Sequence, residues 1–355
     1  MNKKIINELD KVLKINNHTN KEDVLWNSYL PSFLKINQII NQSIQDYFSK
    51  NNFSICTPSI LVGVLGSCEN FDTVYRIKKI NQGQEFLSQT AQLQLERLMS
   101  FSFKKVACIT RSFRNENIVN DGRHLKEFTL VEMEMSNCEL SKLLNTIEDF
   151  VKYVAKNLYC NDNKEILKKV FDIDLVDKKK QFLNIDFPKI NYKDAVILLQ
   201  SNNINVKWGD DLTQIHEQKI VELKGGTPIF ITHFPEHIKF FNMRINRNNN
   251  KVVNSADLIL PISGEAVGAA EREYDYKILI KRFKNSEMYK KMLLAGIKDK
   301  DLGCYFKIVK KGQMPKHAGC GIGLERLLQS LLSTKELDIR LFSQSYILNR
   351  LLGIT

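Results

Sequence analysis

Apolar residues recur at helical spacing near the start of the chain. The spacing of three to four residues runs through Phe33, Ile36, Ile40, Ile44, Tyr47 and Phe48. This period predicts an amphipathic helix with one buried face, followed by a β-like segment around Pro58. Taken alone, such a stripe is typical of an ordinary hydrophobic core.

Two β-forming runs flank a polar turn further along the chain. Val106–Arg111 and Phe128–Met135 are rich in β-branched and aromatic residues, and Asn115–Gly122 carries turn residues. The pattern predicts a β-hairpin. The next stretch, Glu139–Lys156, has the period of a single amphipathic helix.

The second half of the chain adds two features. Residues 157–227 predict an inserted helical lobe, bounded by Asn161–Asn163 and Gly225–Gly226. Residues 319–332 form a glycine-rich run that leads into an apolar helix. A glycine-rich turn before a helix is only a weak signal for phosphate binding.

Composition narrows the class of protein. The 355 residues are 43% apolar and 26% charged, enough for one large core or two modest ones. No stretch approaches the roughly 18–20 apolar residues of a membrane span, and the N-terminus is too charged for a signal peptide. The seven cysteines are odd in number and form no CxxC pair, which is typical of free thiols. We therefore expect a cytoplasmic protein that does not associate with a membrane.

The net charge of +12 permits a polyanionic partner such as a nucleic acid. Lysine dominates this charge, and its clusters lack the interleaved aromatic residues of a nucleic-acid platform. The charge is therefore compatible with nucleic-acid binding and is not evidence for it.

Several charged or aromatic residues are grouped around the loop of the predicted hairpin. Arg114, Glu116, Arg123, His124 and Phe128 all lie in or beside it. Guanidinium groups bind phosphate oxygens bidentately, and an aromatic ring stacks on a base. The residues alone are equally compatible with a nucleotide site and with a solvated, salt-bridged hairpin.

The sequence FRNEN…RHLKEF of this hairpin resembles the second signature motif of class II aminoacyl-tRNA synthetases, in the form of the aspartyl and asparaginyl subgroup. The stripe helix with Pro58 resembles the first motif, which builds the dimer interface in the family. GxGxGxER, ending at Arg326, resembles the third. Three motifs in the family's order make chance an unsatisfactory explanation.

The resemblance spans about residues 31 to 345 and is greatest to asparaginyl-tRNA synthetases. It covers Phe187–Leu199, Trp208–Leu212, Pro228–Lys239 and Asn254–Glu273. It implies an α+β fold over residues 31–355, a class II synthetase-like catalytic domain with a mainly antiparallel sheet flanked by helices. It also implies a homodimer.

Residues 1–30 predict a short N-terminal extension without an anticodon-binding domain. The family's anticodon barrel needs five strands of ~5–6 residues plus loops, more than these residues provide. Archaeal asparagine synthetases, the next most similar group, also lack that barrel.

The resemblance implies that ATP and Mg²⁺ are used to join an amino-acid carboxylate to the α-phosphate, a reaction that depends on positioning and charge neutralisation. Arg114 matches the arginine that bridges the substrate carboxylate and the α-phosphate. Arg326 matches the arginine that closes over the γ-phosphate. These two are the predicted catalytic residues.

Four further residues are predicted to bind ATP by the same resemblance. Glu116 corresponds to the contact with the adenine amino group and Phe128 to the ring that stacks on adenine. Arg123 and His124 correspond to contacts with the β- and γ-phosphates.

The metal and amino-acid contacts also follow from the resemblance. Asp257 and Glu265 match the magnesium ligands, and carboxylate oxygens suit a hard cation that also binds phosphates. Glu69 matches the acid that pairs with the substrate ammonium, and Gln92 matches an amino-acid contact. Arg272 matches the arginine that binds the side-chain oxygen of aspartate or asparagine.

Leu95 bears on the choice of amino acid. Aspartate-binding relatives have a lysine there, which neutralises the second carboxylate oxygen. A buried carboxylate without that counter-charge costs several kcal/mol, which favours asparagine. Against this, Ala270–Glu273 and Asp121–His124 are nearer in spelling to the archaeal asparagine synthetase.

The resemblance implies activation of asparagine or a close analogue as an aminoacyl adenylate, with transfer to tRNA or another acceptor. Three alternatives stay open on the sequence. The first is an aspartate–ammonia ligase that works through an aspartyl adenylate. The second is an amide- or ester-forming paralogue of a specialised pathway. The third is a non-catalytic pseudo-synthetase, which retention of the phosphate and metal residues disfavours.

Overall fold

A computed structural model describes residues 29–63, 71–78, 84–115, 123–294 and 302–351. An eight-stranded sheet forms its centre, in the order β1-β5-β6-β11-β10-β9-β8-β7. Its strands are β1 (Ser54–Ile55), β5 (Lys105–Phe113), β6 (Glu127–Ser136), β7 (Lys189–Asn191), β8 (Ile229–Thr232), β9 (Ser255–Leu260), β10 (Gly264–Glu271) and β11 (His317–Gly323). Only the outer pairs, β1 with β5 and β7 with β8, are parallel. The predicted mainly antiparallel sheet is confirmed.

A second, smaller antiparallel sheet has the strand order β2-β4-β3, and its strands lie between β1 and β5 in the sequence. Its strands are β2 (Leu61–Val62), β3 (Arg76–Lys78) and β4 (Gln84–Leu87). The α-helices of the described residues are α1 (Leu30–Lys50), α2 (Gln92–Met99), α3 (Leu140–Leu158), α4 (Lys164–Phe171), α5 (Leu175–Phe182), α6 (Tyr192–Ser201), α7 (Gln214–Leu223), α8 (Tyr276–Asn285), α9 (Glu287–Leu294), α10 (Gly303–Lys310), α11 (Leu324–Leu332) and α12 (Gln344–Leu351). Among the described residues, no helix combines the length and the apolar character that crossing a membrane requires.

Helix α1 is the stripe helix that the sequence predicts. Pro31 lies in its first turn, where a missing backbone N–H costs nothing. All six predicted apolar residues of the stripe are buried. They pack against α3, which confirms the amphipathic helix expected at Glu139–Lys156, and together the two helices cover one face of the large sheet. The other face of the sheet is thereby left for a site.

The predicted hairpin is also confirmed. β5 and β6 pair antiparallel over nine residues each, with Lys105 opposite Met135 and Phe113 opposite Glu127. Its tip at residues 116–122, which includes Glu116, lies outside the described residues. Glu69 and residues 1–28 lie outside them as well.

Residues 157–227 contain four helices, α4 to α7, as the predicted lobe requires. They also contain β7, which extends the large sheet by pairing with β8. Asp174 and Asn191 cap α5 and α6 by accepting backbone hydrogen bonds. The assignment of this segment as a separate lobe stays a prediction.

Candidate functional site: a cavity on the open face of the sheet

A cavity of about 390 Å³ lies on the open face of the large sheet. It is lined by every predicted site residue that the structure describes: Gln92, Arg114, Arg123, His124, Phe128, Asp257, Glu265, Arg272 and Arg326. These residues come from three strands, two helices and the loops between them. Side chains that lie far apart in the sequence therefore converge on one place.

Strand β11 makes room for this cavity because three alternate residues of the strand, Gly319, Gly321 and Gly323, have no side chain. Gly319 and Gly321 lie directly opposite Glu134 and Glu132 of β6. A Cβ atom at Gly319 would lie 2.1 Å from the Glu134 carboxyl carbon. Glycine is therefore required there so that the carboxylate can lie over the neighbouring strand.

Arg114 and Phe128 form one wall of the cavity. The backbone N–H of Arg114 donates to the Lys126 carbonyl at 2.9 Å, which extends the hairpin pairing beyond β5. The guanidinium carbon of Arg114 lies 5.3 Å from the centre of the Phe128 ring. A planar cation and an aromatic face are thus presented side by side.

Two arginines from separate elements meet at the loop that precedes β10. Arg123 Nη2 donates to the Ser263 carbonyl oxygen at 3.4 Å. Arg326, in the first turn of α11 as predicted, donates through Nη1 to the Glu265 carbonyl oxygen. Since both guanidinium groups line the cavity, they form a cationic clamp at one end of it. We call the wall and the clamp together the nucleotide end.

Glu217 of α7 braces this clamp, and the sequence did not predict it. Its Oε2 accepts the backbone N–H of Glu265 at 2.9 Å. A Cβ at Gly264 would lie 2.6 Å from that oxygen and 2.8 Å from Arg123 Nη2, so carboxylate and guanidinium crowd the same glycine. Burial and the charge of Glu265 raise the pKa of Glu217 to about 7, although Arg326 and Arg123 lower it.

The two predicted metal ligands line the same cavity. Burial raises the pKa of Asp257 to about 7; Lys239 opposes this rise, and the charge of Glu265 adds to it. The influence of Glu265 means that the two carboxylates are close enough to repel one another, a situation that favours a bound cation. Lys239 Nζ lies 2.6 Å from Asp257 Oδ2.

The opposite end of the cavity contains a network of buried charges. Arg272 Nη2 lies 2.6 Å from Glu134 Oε1, and the side chains of this pair are 6% and 2% exposed. Burial raises the pKa of Glu134 above its usual value, although Arg272 opposes this effect. We call the set to which this pair belongs the floor network: Glu96, Glu132, Glu134, Arg272 and His317.

A second ion pair completes the floor network. His317 Nε2 lies 3.2 Å from Glu96 Oε2, and both side chains are fully buried. Burial alone would raise the pKa of Glu96 and lower that of His317, but their mutual contact reverses both shifts. Gln92 donates from Nε2 to Glu96 Oε1 at 2.6 Å, so this predicted amino-acid contact is oriented by the network.

Glu132 holds the start of α2 in place. Its Oε1 accepts the Thr90 hydroxyl at 2.6 Å and its Oε2 accepts the Ala91 backbone N–H at 2.8 Å. Burial raises the pKa of Glu132 to about 7, although Thr90 lowers it. Helix α2 therefore presents Gln92 and Leu95 to the cavity from a fixed position.

Sequence reasoning missed several charged residues of the site, and one signal could have found two of them. Phe128, Leu130, Glu132 and Glu134 follow one another at a spacing of two and all line the cavity. Acids that repeat every second residue on a predicted buried strand share one face. For Lys239, Glu217 and the Glu96–His317 pair, the sequence has no such periodic signal.

Comparison with known proteins identifies the family. The model of the tRNA synthetases class II (D, K and N) matches residues 20–345. A probable mitochondrial asparagine–tRNA ligase of Dictyostelium discoideum is 33% identical over 315 residues, which cover 84% of this chain and 65% of that protein. An asparagine–tRNA ligase of Buchnera aphidicola is also 33% identical, over 83% of this chain and 66% of the relative. The chain thus spans slightly less than two thirds of the length of these relatives.

A solved structure gives the same result for the fold. The crystal structure of asparaginyl-tRNA synthetase from Pyrococcus horikoshii complexed with asparaginyl-adenylate matches with a TM-score of 0.76 and 30% identity. The match covers 88% of this chain and 67% of that one. The fold is that of a class II synthetase catalytic domain, as the sequence predicted. The chain belongs to the class II tRNA synthetases of the D, K and N group.

Proposed function

We propose that this protein is an ATP-dependent ligase that activates asparagine as an aminoacyl adenylate, releases pyrophosphate and transfers the amino acid to tRNA. Two lines of support converge on this activity. Relatives at 33% identity are asparagine–tRNA ligases, and a matching structure holds asparaginyl-adenylate. The cavity brings together the predicted contacts for nucleotide, metal and amino acid that the structure describes.

ATP is proposed to bind at the nucleotide end. Phe128, which lines the cavity, is proposed to stack on the adenine ring, and Arg114, whose guanidinium group lies over the Phe128 ring, is proposed to bind the α-phosphate. Arg123 and Arg326, with His124 nearby, neutralise the outer phosphates from two sides. Glu116 is proposed for the adenine amino group from the loop outside the described residues.

Asp257 and Glu265 are proposed to hold Mg²⁺. They are a mutually repelling pair of carboxylates in the cavity, which fits a hard divalent cation. In the described part of the chain, no group of three or more histidine, cysteine, aspartate or glutamate side chains is arranged for a metal. Two protein ligands suit a magnesium ion whose other ligands are phosphates and water, and such an ion supplies charge neutralisation for the departing pyrophosphate.

The observation that favours asparagine over aspartate is the Arg272–Glu134 pair, with 2.6 Å between its charged atoms. Arg272 can donate to a side-chain carbonyl oxygen while Glu134 already balances its charge. An aspartate carboxylate would add a third buried acid beside Glu132 and Glu134, and Leu95 supplies no second cation.

An amide fits the same position without adding charge. Glu134 Oε2 is buried, and within the described residues it accepts no hydrogen bond, so an amide N–H₂ can donate to it. Gln92 and Glu69 are proposed to contact the substrate backbone.

The proposed reaction begins when a carboxylate oxygen of asparagine attacks the α-phosphorus of ATP. The bond between that phosphorus and the bridging oxygen to the β-phosphate breaks, and pyrophosphate leaves. Arg114 holds the carboxylate and the α-phosphate together, and Arg326 stabilises the charge that develops on the leaving group. Both arginines therefore act by position and charge.

Assembly, acceptor and location belong to the same proposal. Ile55, Ile60 and Leu61, which follow the helix resembling the first motif, are exposed apolar side chains. Their exposure supports a homodimer formed through this region. The tRNA acceptor and the cytoplasmic location rest on the family and on the composition of the chain.

Amino-acid-dependent ATP–pyrophosphate exchange tests the proposal. We expect exchange with asparagine, and weaker exchange with aspartate whether or not ammonia is present. Glu134→Gln should lower exchange with asparagine by about 10- to 100-fold and narrow the preference over aspartate. Glu271→Gln is the matched control, because Glu271 is a buried carboxylate paired with Arg244 at 2.8 Å that does not line the cavity.

Three results would contradict the proposal. Exchange with aspartate together with amide formation from ammonia would identify an aspartate–ammonia ligase. Exchange with asparagine but transfer only to a small molecule would identify a specialised paralogue. ATP binding without exchange for any amino acid would identify a pseudo-synthetase.

A further inference from the structure

Lys239 occupies a position at the proposed metal site that neither the motifs nor the comparisons assign. It follows the short 3₁₀ helix Glu236–Ile238 and lines the same cavity as Asp257 and Glu265. Its Nζ lies 2.6 Å from Asp257 Oδ2, and the two side chains are 15% and 9% exposed. A buried ammonium group therefore contacts a proposed metal ligand directly.

The surroundings of Lys239 hold the ammonium group from several sides. The Phe234 ring lies beneath it, with 3.9 Å from Nζ to the ring centre. The carboxylates of Asp257, Glu265 and Asp211 all attract it. An aromatic face and nearby carboxylates together stabilise a cation that has lost most of its water.

The role of this arrangement follows from the balance of charges in the cavity. Two carboxylates in one small cavity repel each other, and a nearby cation offsets that repulsion. In the protein without nucleotide, the ammonium of Lys239 is that cation. A divalent ion that binds to Asp257 would compete with Lys239 for the same oxygen and would be repelled by its charge.

We propose that Lys239 is a built-in counter-ion for the metal carboxylates, which covers Asp257 until Mg²⁺ arrives together with ATP. This inference rests on the proposed function, because it takes Asp257 and Glu265 as the metal ligands. Its consequence is a site with low affinity for free divalent ions. The phosphates of ATP add the negative charge that lets the metal displace the ammonium group.

The structure also provides a place for the displaced side chain. Lys239 and Phe240 line a second, larger cavity of about 1090 Å³ that adjoins the first. A rotation about the flexible lysine stem would move the ammonium toward this wider space, where water can solvate it. The backbone need not move.

Binding of free Mn²⁺ to the full chain without nucleotide tests the proposal, with electron paramagnetic resonance of unbound Mn²⁺ as the readout. Lys239→Gln should bind Mn²⁺ about tenfold more tightly than the natural protein, because the competing charge is gone. Lys239→Arg keeps the charge and should bind as weakly as the natural protein. Lys152→Gln is the matched control, since Lys152 lies 2.7 Å from Glu148 and 5.4 Å from the Phe187 ring, away from the cavity.

Asp257→Asn distinguishes a failure of the counter-ion role from a failure of the metal assignment. Combined with Lys239→Gln, it should abolish the gain in Mn²⁺ affinity. If Mn²⁺ binding depends on Asp257 but Lys239→Gln leaves it unchanged, the counter-ion role is wrong and the metal assignment survives. If Asp257→Asn has no effect in either background, the metal assignment is wrong and the counter-ion role falls with it.

Discussion

The two ends of the cavity balance their charges in different ways. In the floor network, Arg272 pairs with Glu134 and His317 pairs with Glu96, and all five residues of the network are buried. At the nucleotide end, Arg123 and Arg326 donate to the backbone carbonyl oxygens of Ser263 and Glu265, at the start of β10. Phosphate oxygens can replace such partners, whereas the pairs of the floor have no external substitute.

The two ends therefore suit different tasks. The floor network suits selection of the amino acid, and the nucleotide end suits binding of the nucleotide. A group that distinguishes an amide from a carboxylate must hold its position, because a small displacement would admit the wrong charge. Groups that bind the phosphates of a common nucleotide must bind them tightly and must be free to move toward them. The four predictions below test this contrast, from the largest expected effect to the smallest.

The Glu96–His317 pair should be the most costly part of the floor to break. Glu96→Gln removes the carboxylate that pairs with the buried His317 imidazolium, which we expect to destabilise the protein by about 3–5 kcal/mol near neutral pH. Chemical denaturation of the two proteins measures the difference. Glu165→Gln is the control, because Glu165 pairs with Lys169 on the surface, and it should leave the stability nearly unchanged.

The pH dependence of this difference has a definite sign. In the folded protein the pKa of His317 is raised and that of Glu96 is lowered, so the ion pair stabilises between these two pKa values and is lost as the pH rises through the pKa of His317. The cost of Glu96→Gln should therefore shrink in alkaline buffer. A cost that is constant with pH would mean that the pair is not ionic.

Glu132 should make the protein less stable as the pH rises. Burial raises its pKa to about 7, so the folded state holds a proton between the ordinary pKa of glutamate and pH 7 that the unfolded state has lost. Over that window the group should cost about 3 kcal/mol. Glu132→Gln removes this dependence, and urea midpoints for the two proteins from pH 4.5 to pH 8 measure it.

The expected sign is that the two proteins are similar at pH 4.5 and that the variant becomes relatively more stable up to pH 7. A difference in the opposite direction would show that Glu132 is stabilised as a carboxylate by Thr90 and Ala91. In that case the floor would carry one more fixed negative charge than we infer.

Gly319→Ala tests whether the position of the floor decides activity. Its Cβ would lie within 2.1 Å of the Glu134 carboxyl group, so Glu134 and its partner Arg272 must shift. We expect a loss of about 100-fold in kcat/KM for asparagine with little change in ATP binding. Gly321→Ala is the matched control, since the nearest atom to its Cβ is Glu132 Cγ at 3.8 Å. Equal losses in both variants would argue against a special role for the Glu134 position.

The parts of the molecule also differ in how well the sequence predicts them. The stripe of α1 and the hairpin of β5 and β6 follow from local periods of 3.6 and 2 residues, so the sequence alone predicts them. The clamp arginines follow from the family motifs. The reason for Gly319 does not, because a glycine-rich run cannot reveal which carboxylate from another strand will lie over it.

Ion pairs that depend on tertiary structure are the least predictable part. Lys239 lies in a loop and Asp257 in β9, and no spacing rule connects them. The same holds for Glu217, whose partners belong to the β9–β10 loop and to α11. A sequence pattern indicates which residues can carry charge, and only the fold determines which of them balance each other.

Glu217→Gln should have the smallest effect and should act only at the nucleotide end. The amide oxygen can still accept the Glu265 backbone N–H, but the negative charge that attracts Arg123 and Arg326 is removed. Both guanidinium groups then face the phosphates with one carboxylate fewer beside them. We expect the KM for ATP to fall by roughly threefold, about the value of one exposed ion pair, with an unchanged KM for asparagine.

Initial rates of ATP–pyrophosphate exchange at varied ATP and varied asparagine separate these constants. Glu222→Gln is the matched control, because Glu222 lies on the same helix and pairs with Lys219 at 2.8 Å on the surface. A rise in the KM for ATP would mean that Glu217 positions the arginines productively, so its removal loosens the clamp. A change in the KM for asparagine would couple the two ends and would contradict the separation of selection from binding. The result would thus show whether the clamp, like the floor, depends on a fixed internal partner.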